Sequence, residues 1–288
     1  MKKKYVLLIS AITVVGLFLT SCYKEFDPAS YQPAFTISGY SASNEIKPAN
    51  LVGYWSFDGD LKNSVSGDAA TNNKTTFVNG FEGKAVSMNV ADKSYITIAP
   101  TAPLTTGLGS FTISFWVNPI FVDSNSDGGI DGILGLVNLS NIQGFWGNID
   151  WFVENGSNPT STTIKIHLTS GTNETWLVKS GITGFFGGWT NHTLVYDAST
   201  SKATYYINGS VAVAATTVSW TGAATFQNSG PWVLGCVQFQ TNPSLTSATG
   251  SQDWASYLTG SMDELRIYNA ALTPAEVNAL VVLQGKGK

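Results

Sequence analysis

Apolar and polar residues alternate in eight separate stretches after Leu51: SYITIAP (94–100), SFTISFWVNP (110–119), NIDWFVENG (148–156), TTIKIHL (162–168), WTNHTLVYD (189–197), KATYYINGSVAVAA (202–215), PWVLGCVQF (231–239) and GSMDELRIY (260–268). A period of two sends successive side chains to opposite faces, so each stretch is predicted as a β-strand bounded by turn formers. Asn208-Gly209 supplies the positive backbone angles of a tight hairpin turn inside the sixth stretch. One helix is signalled, at the end: Thr273-Pro274-Ala275-Glu276 forms a capping box with proline at the first helical position, and Val277, Leu280 and Val281 share one face behind it. Many short strands at close spacing predict an all-β sandwich or jelly roll with a short C-terminal helix.

Composition agrees with that picture. The 288 residues are 43% hydrophobic and only 12% charged, which describes one sizeable globular core. The 12% aromatic content and 29 glycines favour pleated strands joined by tight turns. A single arginine, Arg266, and a formal charge of −4 argue against nucleic acid as a partner, because phosphate binding needs clustered Lys and Arg.

The first residues, MKKKYVLLISAITVVGLFLTSC, carry three lysines, an apolar run from Tyr5 to Leu19, and small residues before Cys22. The run is about 15 residues, short of the roughly 20 that span a bilayer as a helix. This stretch resembles a bacterial lipoprotein signal with its lipobox. The resemblance implies removal of 1–21, lipidation of Cys22 and anchoring to a membrane through that lipid. The charges of CYKEFD resemble surface-export signals of some Bacteroidota, and the expected location is the outer membrane, at the cell surface. Loss of Lys2, Lys3 and Lys4 would take the formal charge from −4 to −7. Cys236 would then be the remaining cysteine, so no internal disulfide is expected, and it reads as a small apolar strand residue. Residues 22–48 have no sustained period and read as a tether, with an edge strand possible at AFTIS.

LVGYWSFDGDLKNSVSG, GFEGKAVSMN, SFTISFWVNP, GGWTNHTLVYDASTSKATYYINGS and LTGSMDELRIYNAALTPAEVNAL occur in the order and spacing of laminin-G-like domains of the concanavalin A-like superfamily, and the chain resembles that family over 49–284, leaving 285–288 as a tail. The resemblance implies two antiparallel sheets in a jelly-roll sandwich, a structural calcium, and ligand binding on the concave sheet or its surrounding loops. In relatives the blocks containing Asp58 and Asp263 help hold that calcium. The alternative for Asp58 is an ordinary strand terminator. A second calcium candidate is DSNSDGGIDGIL, where Asp123, Asn125, Asp127 and Asp131 stand at positions one, three, five and nine of an EF-hand-like loop. Its twelfth position is Leu134 instead of a bidentate Glu, so a solvated turn is the competing expectation.

Some relatives hydrolyse polysaccharides with closely spaced carboxylates on one strand. Asp150 and Glu154 share a face here but lie roughly 13 Å apart by the rise per residue, beyond the usual separations. No Gly-x-Ser-x-Gly elbow, His-Glu-x-x-His pair or phosphate-cradling glycine loop occurs. His192 is expected as a packed structural residue. His167 is turned away from Ile164, Ile166 and Leu168, either as an exposed bystander or as a ligand contact.

In GFWGNIDWF the strand reading puts Ile149, Trp151 and Val153 on the core face and Asp150, Phe152 and Glu154 on the other. Trp146, between Gly144 and Gly147, is either a stacking platform for a sugar ring or a ring folded back over the sheet end. Trp176 and Trp254 are secondary platform candidates, with Asp150, Phe152 and His167 as the adjoining groove. The expected function is therefore a non-catalytic surface lipoprotein that binds glycans, working with transporter or glycan-degrading enzyme partners. An adhesin or assembly module binding protein, and a glycoside hydrolase, are the alternatives.

Overall fold

The computed structural model describes residues 35–288. Cys22 and the signal-like segment lie outside the described residues. The strands, in chain order, are β1 (Leu51–Trp55), β2 (Thr71–Asn73), β3 (Thr76–Asn79), β4 (Lys84–Met88), β5 (Tyr95–Ile98), β6 (Phe111–Pro119), β7 (Ile133–Asn141) and β8 (Ile149–Val153). They continue as β9 (Thr162–Ser170), β10 (Asn173–Ile182), β11 (Thr190–Asp197), β12 (Lys202–Ile207), β13 (Ser210–Thr217), β14 (Ser229–Leu234), β15 (Ala255–Ser256) and β16 (Gly260–Tyr268). One helix, α1 (Pro274–Gln284), follows.

Alternation does build two antiparallel sheets. One runs β13-β12-β11-β6-β16-β4-β3 with β1 also on β16; the other runs β10-β9-β8-β7-β14-β5-β2, with the two-residue β15 parallel to β7. Inward residues of both sheets interdigitate: Phe111, Ile113, Phe115 and Val117 of β6 face Ile149, Trp151 and Val153 of β8 in one cluster. Trp151 is fully buried with its ring edge-on to Phe115 and Tyr205, so its expected core role holds. The Asn208-Gly209 turn has φ of 49° and 75° at its two residues, as the hairpin requires.

Each sheet is also covered on its outer face. Helix α1 begins with the full capping box, Thr273 Oγ1 accepting from Glu276 N while Glu276 accepts from Thr273 N. Its Val277, Leu280 and Leu283 pack with Val195, Tyr206 and Tyr268 on the outer face of the first sheet. The segment read as a tether joins this layer: Ile46 is 1% exposed, Ile37 and Tyr40 pack beside it, and Tyr40 Oη donates to Glu276. AFTIS forms a tight Ile37–Tyr40 turn instead of an edge strand. Within the described residues the chain from 36 to 46 therefore packs on the domain, adding cover to the apolar surface beside α1. On the second sheet the covering layer is the 235–257 loop, which packs Val237, Phe239 and Ala255 against Ile133 and Phe152. Cys236 belongs to this loop, just beyond β14, and burial pushes its thiol well up.

Candidate functional site

The outer face of the second sheet carries a groove of about 340 Å³ lined by Ile133, Trp146, Phe152, Glu154, Asn155, Lys165, Trp176 and Trp254. Strand register explains the assembly. Phe152 pairs with Lys165 across β8 and β9, and Trp176 pairs with His167 across β9 and β10, so all four emerge on the same face. Trp146 comes from the β7–β8 loop and Trp254 from the loop before β15. Trp146, Trp176 and Trp254, from three chain segments, are thereby brought together part-exposed around Phe152, which was expected in an open groove but is only 2% exposed, covered by Trp146 and the 235–257 loop.

Trp146 is the hub. Its ring lies parallel to Phe152 at 5.6 Å (4°), near-perpendicular to Trp176 at 5.7 Å (86°) and tilted to Trp254 at 6.1 Å (58°). Trp176 and Trp254 remain 37% and 40% exposed. The flanking glycines do not free the indole. A Cβ on Gly147 would meet the Leu139 carbonyl oxygen at 2.5 Å, and one on Gly144 would meet the Trp146 carbonyl oxygen at 2.8 Å. They let the loop lie down on the sheet, so the ring is folded back onto Phe152 and walls the groove from there. Gln238 locks the loop, its Nε2 donating to the carbonyls of Gly144 and Phe145.

Asp150 and His167 correct the sequence reading, because neither opens into the groove. Asp150 is fully buried and His167 is 1% exposed, roofed by Trp176, whose ring stacks on the imidazole at 4.3 Å. His167 Nδ1 is 3.1 Å from Asp150 Oδ2 and its Nε2 is 3.0 Å from Glu174 Oε2. It is a buried link between two carboxylates, not an exposed bystander. Burial pushes the Asp150 carboxyl up, and the His167 hydrogen bond pulls it back only in part. Glu174 itself is exposed.

Sequence reasoning missed Lys165 and Asn155 as groove residues and Glu174 as the exposed neighbour of Trp176, and it weighed Glu154 only as a catalytic carboxylate. Lys165 Nζ is 2.5 Å from Glu154 Oε2. The signal for Glu174 was present in NETWLV: two residues before Trp176, it must share that residue's face once the stretch is a strand.

The calcium candidates are arranged differently. Asp58 and Asp263 do reach the same turn, 80–84. Asp263 Oδ2 accepts from Phe81 N (2.9 Å) and Glu82 N (3.1 Å), and Asp58 Oδ1 accepts from Lys84 N (2.8 Å). Burial, with the charge of Glu264, pushes the Asp263 carboxyl up to about 8, a strain that a dication would relieve. Two carboxylates beside turn carbonyls are oxygen donors of the kind calcium takes. In the second loop the oxygens serve the loop itself: Asp123 accepts from the N–H groups of Asp127 and Gly128, Asn125 from Asp127 N, Asp127 from Gly129 N, and Asp131 from Ser124. Among the described residues no group of three or more His, Cys, Asp or Glu is placed to hold a metal ion. His192 is buried between Phe115 and Tyr205, with Nδ1 2.6 Å from the Tyr205 hydroxyl, the packed role expected of it.

Comparison with known proteins places this architecture. No curated protein matches the sequence significantly. Among solved structures, the binding domain of Paraclostridial Mosquitocidal Protein 1 superposes with a TM-score of 0.58 at 17% identity, over 81% of this chain and 52% of that one. Botulinum neurotoxin type C, whose cell entry is described as dependent upon interaction with two ganglioside molecules, superposes with a TM-score of 0.61 at 12% identity, over 84% of this chain and 53% of that one. The binding domain of botulinum neurotoxin DC, solved with rat synaptotagmin II, gives 0.58 at 12% identity, over 82% and 52%. The chain therefore spans about half the length of these toxin chains, and at such identities the likeness is one of fold. The family model for the concanavalin A-like lectin/glucanases superfamily matches residues 90–278, and the chain belongs to that superfamily as a laminin-G-like domain.

Proposed function

We propose that this protein is a non-catalytic glycan-binding module, held at a bacterial outer-membrane surface by lipid on Cys22 and serving transport or glycan-degrading partners. One observation carries the glycan reading: large aromatic side chains from separate segments converge on a single groove and stay part-exposed there. Isolated exposed aromatics are ordinary, whereas a contiguous aromatic patch rimmed by polar groups is a recognition surface. Indole faces suit the apolar CH faces of a sugar ring, and Glu154, Asn155 and Lys165 supply partners for its hydroxyls. The ganglioside dependence described for the neurotoxin supports the reading by analogy. Glycoside hydrolysis is disfavoured, since Asp150 is buried against His167 while Glu154 is paired with Lys165. A structural calcium between Asp58 and Asp263 belongs to the same proposal.

The test is a glycan array followed by calorimetric titration of the best ligand. Trp176→Ala and Trp254→Ala should each weaken binding about tenfold, the upper range of an aromatic stacking contribution, with a melting temperature close to that of the parent for Trp254→Ala and a lower one for Trp176→Ala, whose ring also roofs His167. Trp146→Ala is the less clean variant, because its ring also covers Phe152. Unchanged affinity in both exposed-tryptophan variants would reject the groove. Capture of a protein partner with no glycan bound would favour the adhesin alternative.

A further inference from the structure

The groove is asymmetric in charge. Lys165 is the single cation lining it, and its ammonium is already engaged by Glu154 at 2.5 Å. On the other side of Trp176 along β10 stands Glu174, its side chain 62% exposed yet fixed by His167 Nε2. His167 is in turn fixed by the buried Asp150. A neutral imidazole has one N–H, but both ring nitrogens here face carboxylate oxygens, so the Asp150–His167–Glu174 chain needs one further proton to satisfy both contacts. Whichever of the three groups holds it, that one proton leaves the chain a net negative charge. The groups facing His167 are Asp150 from β8, Glu174 and Trp176 from β10, and Trp146 from the β7–β8 loop. None of them supplies a positive charge.

From this arrangement we infer that the groove selects uncharged sugars, and that Glu174 is the specificity-determining residue that accepts from their hydroxyls. The inference rests on the glycan-binding reading above. Glu174 lies outside the groove's lining, two residues from Trp176 on the same strand face, so a sugar stacked on the exposed part of Trp176 and overhanging that end of the groove reaches its carboxylate, while the Glu154–Lys165 pair lines the groove itself. Hydroxyl donation to an ionised carboxylate is a strong, charge-assisted bond, and the His167 contact holds the acceptor in place before the ligand arrives. A uronate or sialate carboxylate in the same position meets Glu174 as a like charge and finds Lys165 already occupied.

The experiment is calorimetric titration of the domain with matched probes: neutral cello-, xylo-, manno- and arabino-oligosaccharides and lactose against oligogalacturonate, glucuronate-substituted xylo-oligosaccharide and sialyllactose. The tightest neutral probe should bind at least about tenfold more tightly than any carboxylated one. Glu174→Ala should weaken the neutral probe about tenfold or more, the loss of a hydrogen bond to a charged group. Glu154→Gln, by releasing Lys165, should strengthen binding of carboxylated probes severalfold. Melting curves check that both surface variants are folded. Carboxylated probes that bind as tightly as neutral ones, with binding still dependent on Trp176, overturn this inference while leaving glycan binding intact, as does a Glu174→Ala variant of unchanged affinity. No binding by any probe removes the glycan reading and this inference with it.

Discussion

Single buried side chains set much of this protein's response to its surroundings, and His192 is the clearest case. It is enclosed by Phe115, Trp151, Phe185 and Tyr205, and burial lowers its pKa from 6.5 to about 3. The unfolded chain takes up a proton below pH 6.5 that the folded chain refuses until about pH 3. Stability from this residue is therefore complete above pH 6.5 and declines as pH falls, by about 1.4 kcal/mol per pH unit. Chemical denaturation between pH 7.5 and 5 should show the decline in the parent and its loss in His192→Phe. Parallel curves for the two proteins would contradict the assignment. His167, equally buried, has a carboxylate at each nitrogen where His192 has hydroxyls from Tyr205 and Thr190. Both were visible as histidines on strands. Their partners on neighbouring strands, Asp150 and Glu174 for His167 and Tyr205 for His192, were not, because strand register chooses them.

At the level of elements, β16 is the joint of the first sheet. A bulge at Asp263 and Glu264, where Glu264 takes φ of 53°, shifts the register so that β4 pairs with its first part and β1 with its last. The bulge also turns Glu264 into a buried polar network. Arg266 donates to Glu264 (2.9 Å) and Ser43, and lies 4.4 Å above the Tyr54 ring. Glu264 further accepts from Tyr54 Oη and from Gln284 at the end of α1. One arginine therefore ties the N-terminal segment, β1, β16 and, through Glu264, the helix. Arg266→Ala leaves the Glu264 carboxylate buried without its cation and should cost about 3–5 kcal/mol in urea denaturation. Adding Glu264→Gln to that variant should recover part of the loss. A cost under about 1 kcal/mol for Arg266→Ala would show that the network is decorative. The sequence marked Arg266 as the sole arginine but gave it no role, since alternation alone leaves a bulged strand's faces undetermined.

For the whole molecule, the two covering layers lie on opposite sides of the sandwich: residues 36–46 run along the outer face of the first sheet, where Ile46 packs under α1, while the groove opens on the outer face of the second sheet. Cys22→Ala should release the protein from the membrane fraction, and persistence there would reject lipid anchoring. Among the described residues no helix is long and apolar enough to cross a membrane. The proposed calcium would join β16 to the 80–84 turn that leads into β4, so its removal should loosen one side of the first sheet. Calcium should raise the melting temperature of the parent, chelator should lower it, and Asp58→Asn should blunt both effects. Identical scans with and without chelator would dismiss the ion.

The sequence by itself determined the strands whose faces differ, the hairpin at Asn208-Gly209, the capped final helix and, through ordered blocks, the sandwich. The first three are local: a period of two, a turn needing positive φ, or a cap three residues from its partner carries its own physical cause, whereas the sandwich was implied by the family resemblance of blocks along the whole domain. It also identified Trp146, Phe152, Trp176 and Trp254, because large aromatics on the outward face of a strand or in a glycine-rich loop are few enough to enumerate. Tertiary structure decided which of them meet, and in what posture. The β8–β9–β10 register put Trp176 on His167, the 235–257 loop buried Phe152, and backbone contact at Gly147 laid Trp146 down. It alone placed Asp150 beneath the groove floor and Glu174 on the Nε2 of His167. Outward on a strand means exposed only where nothing packs above, and what packs above is set by strand register and by loops whose course the strand's own period does not encode.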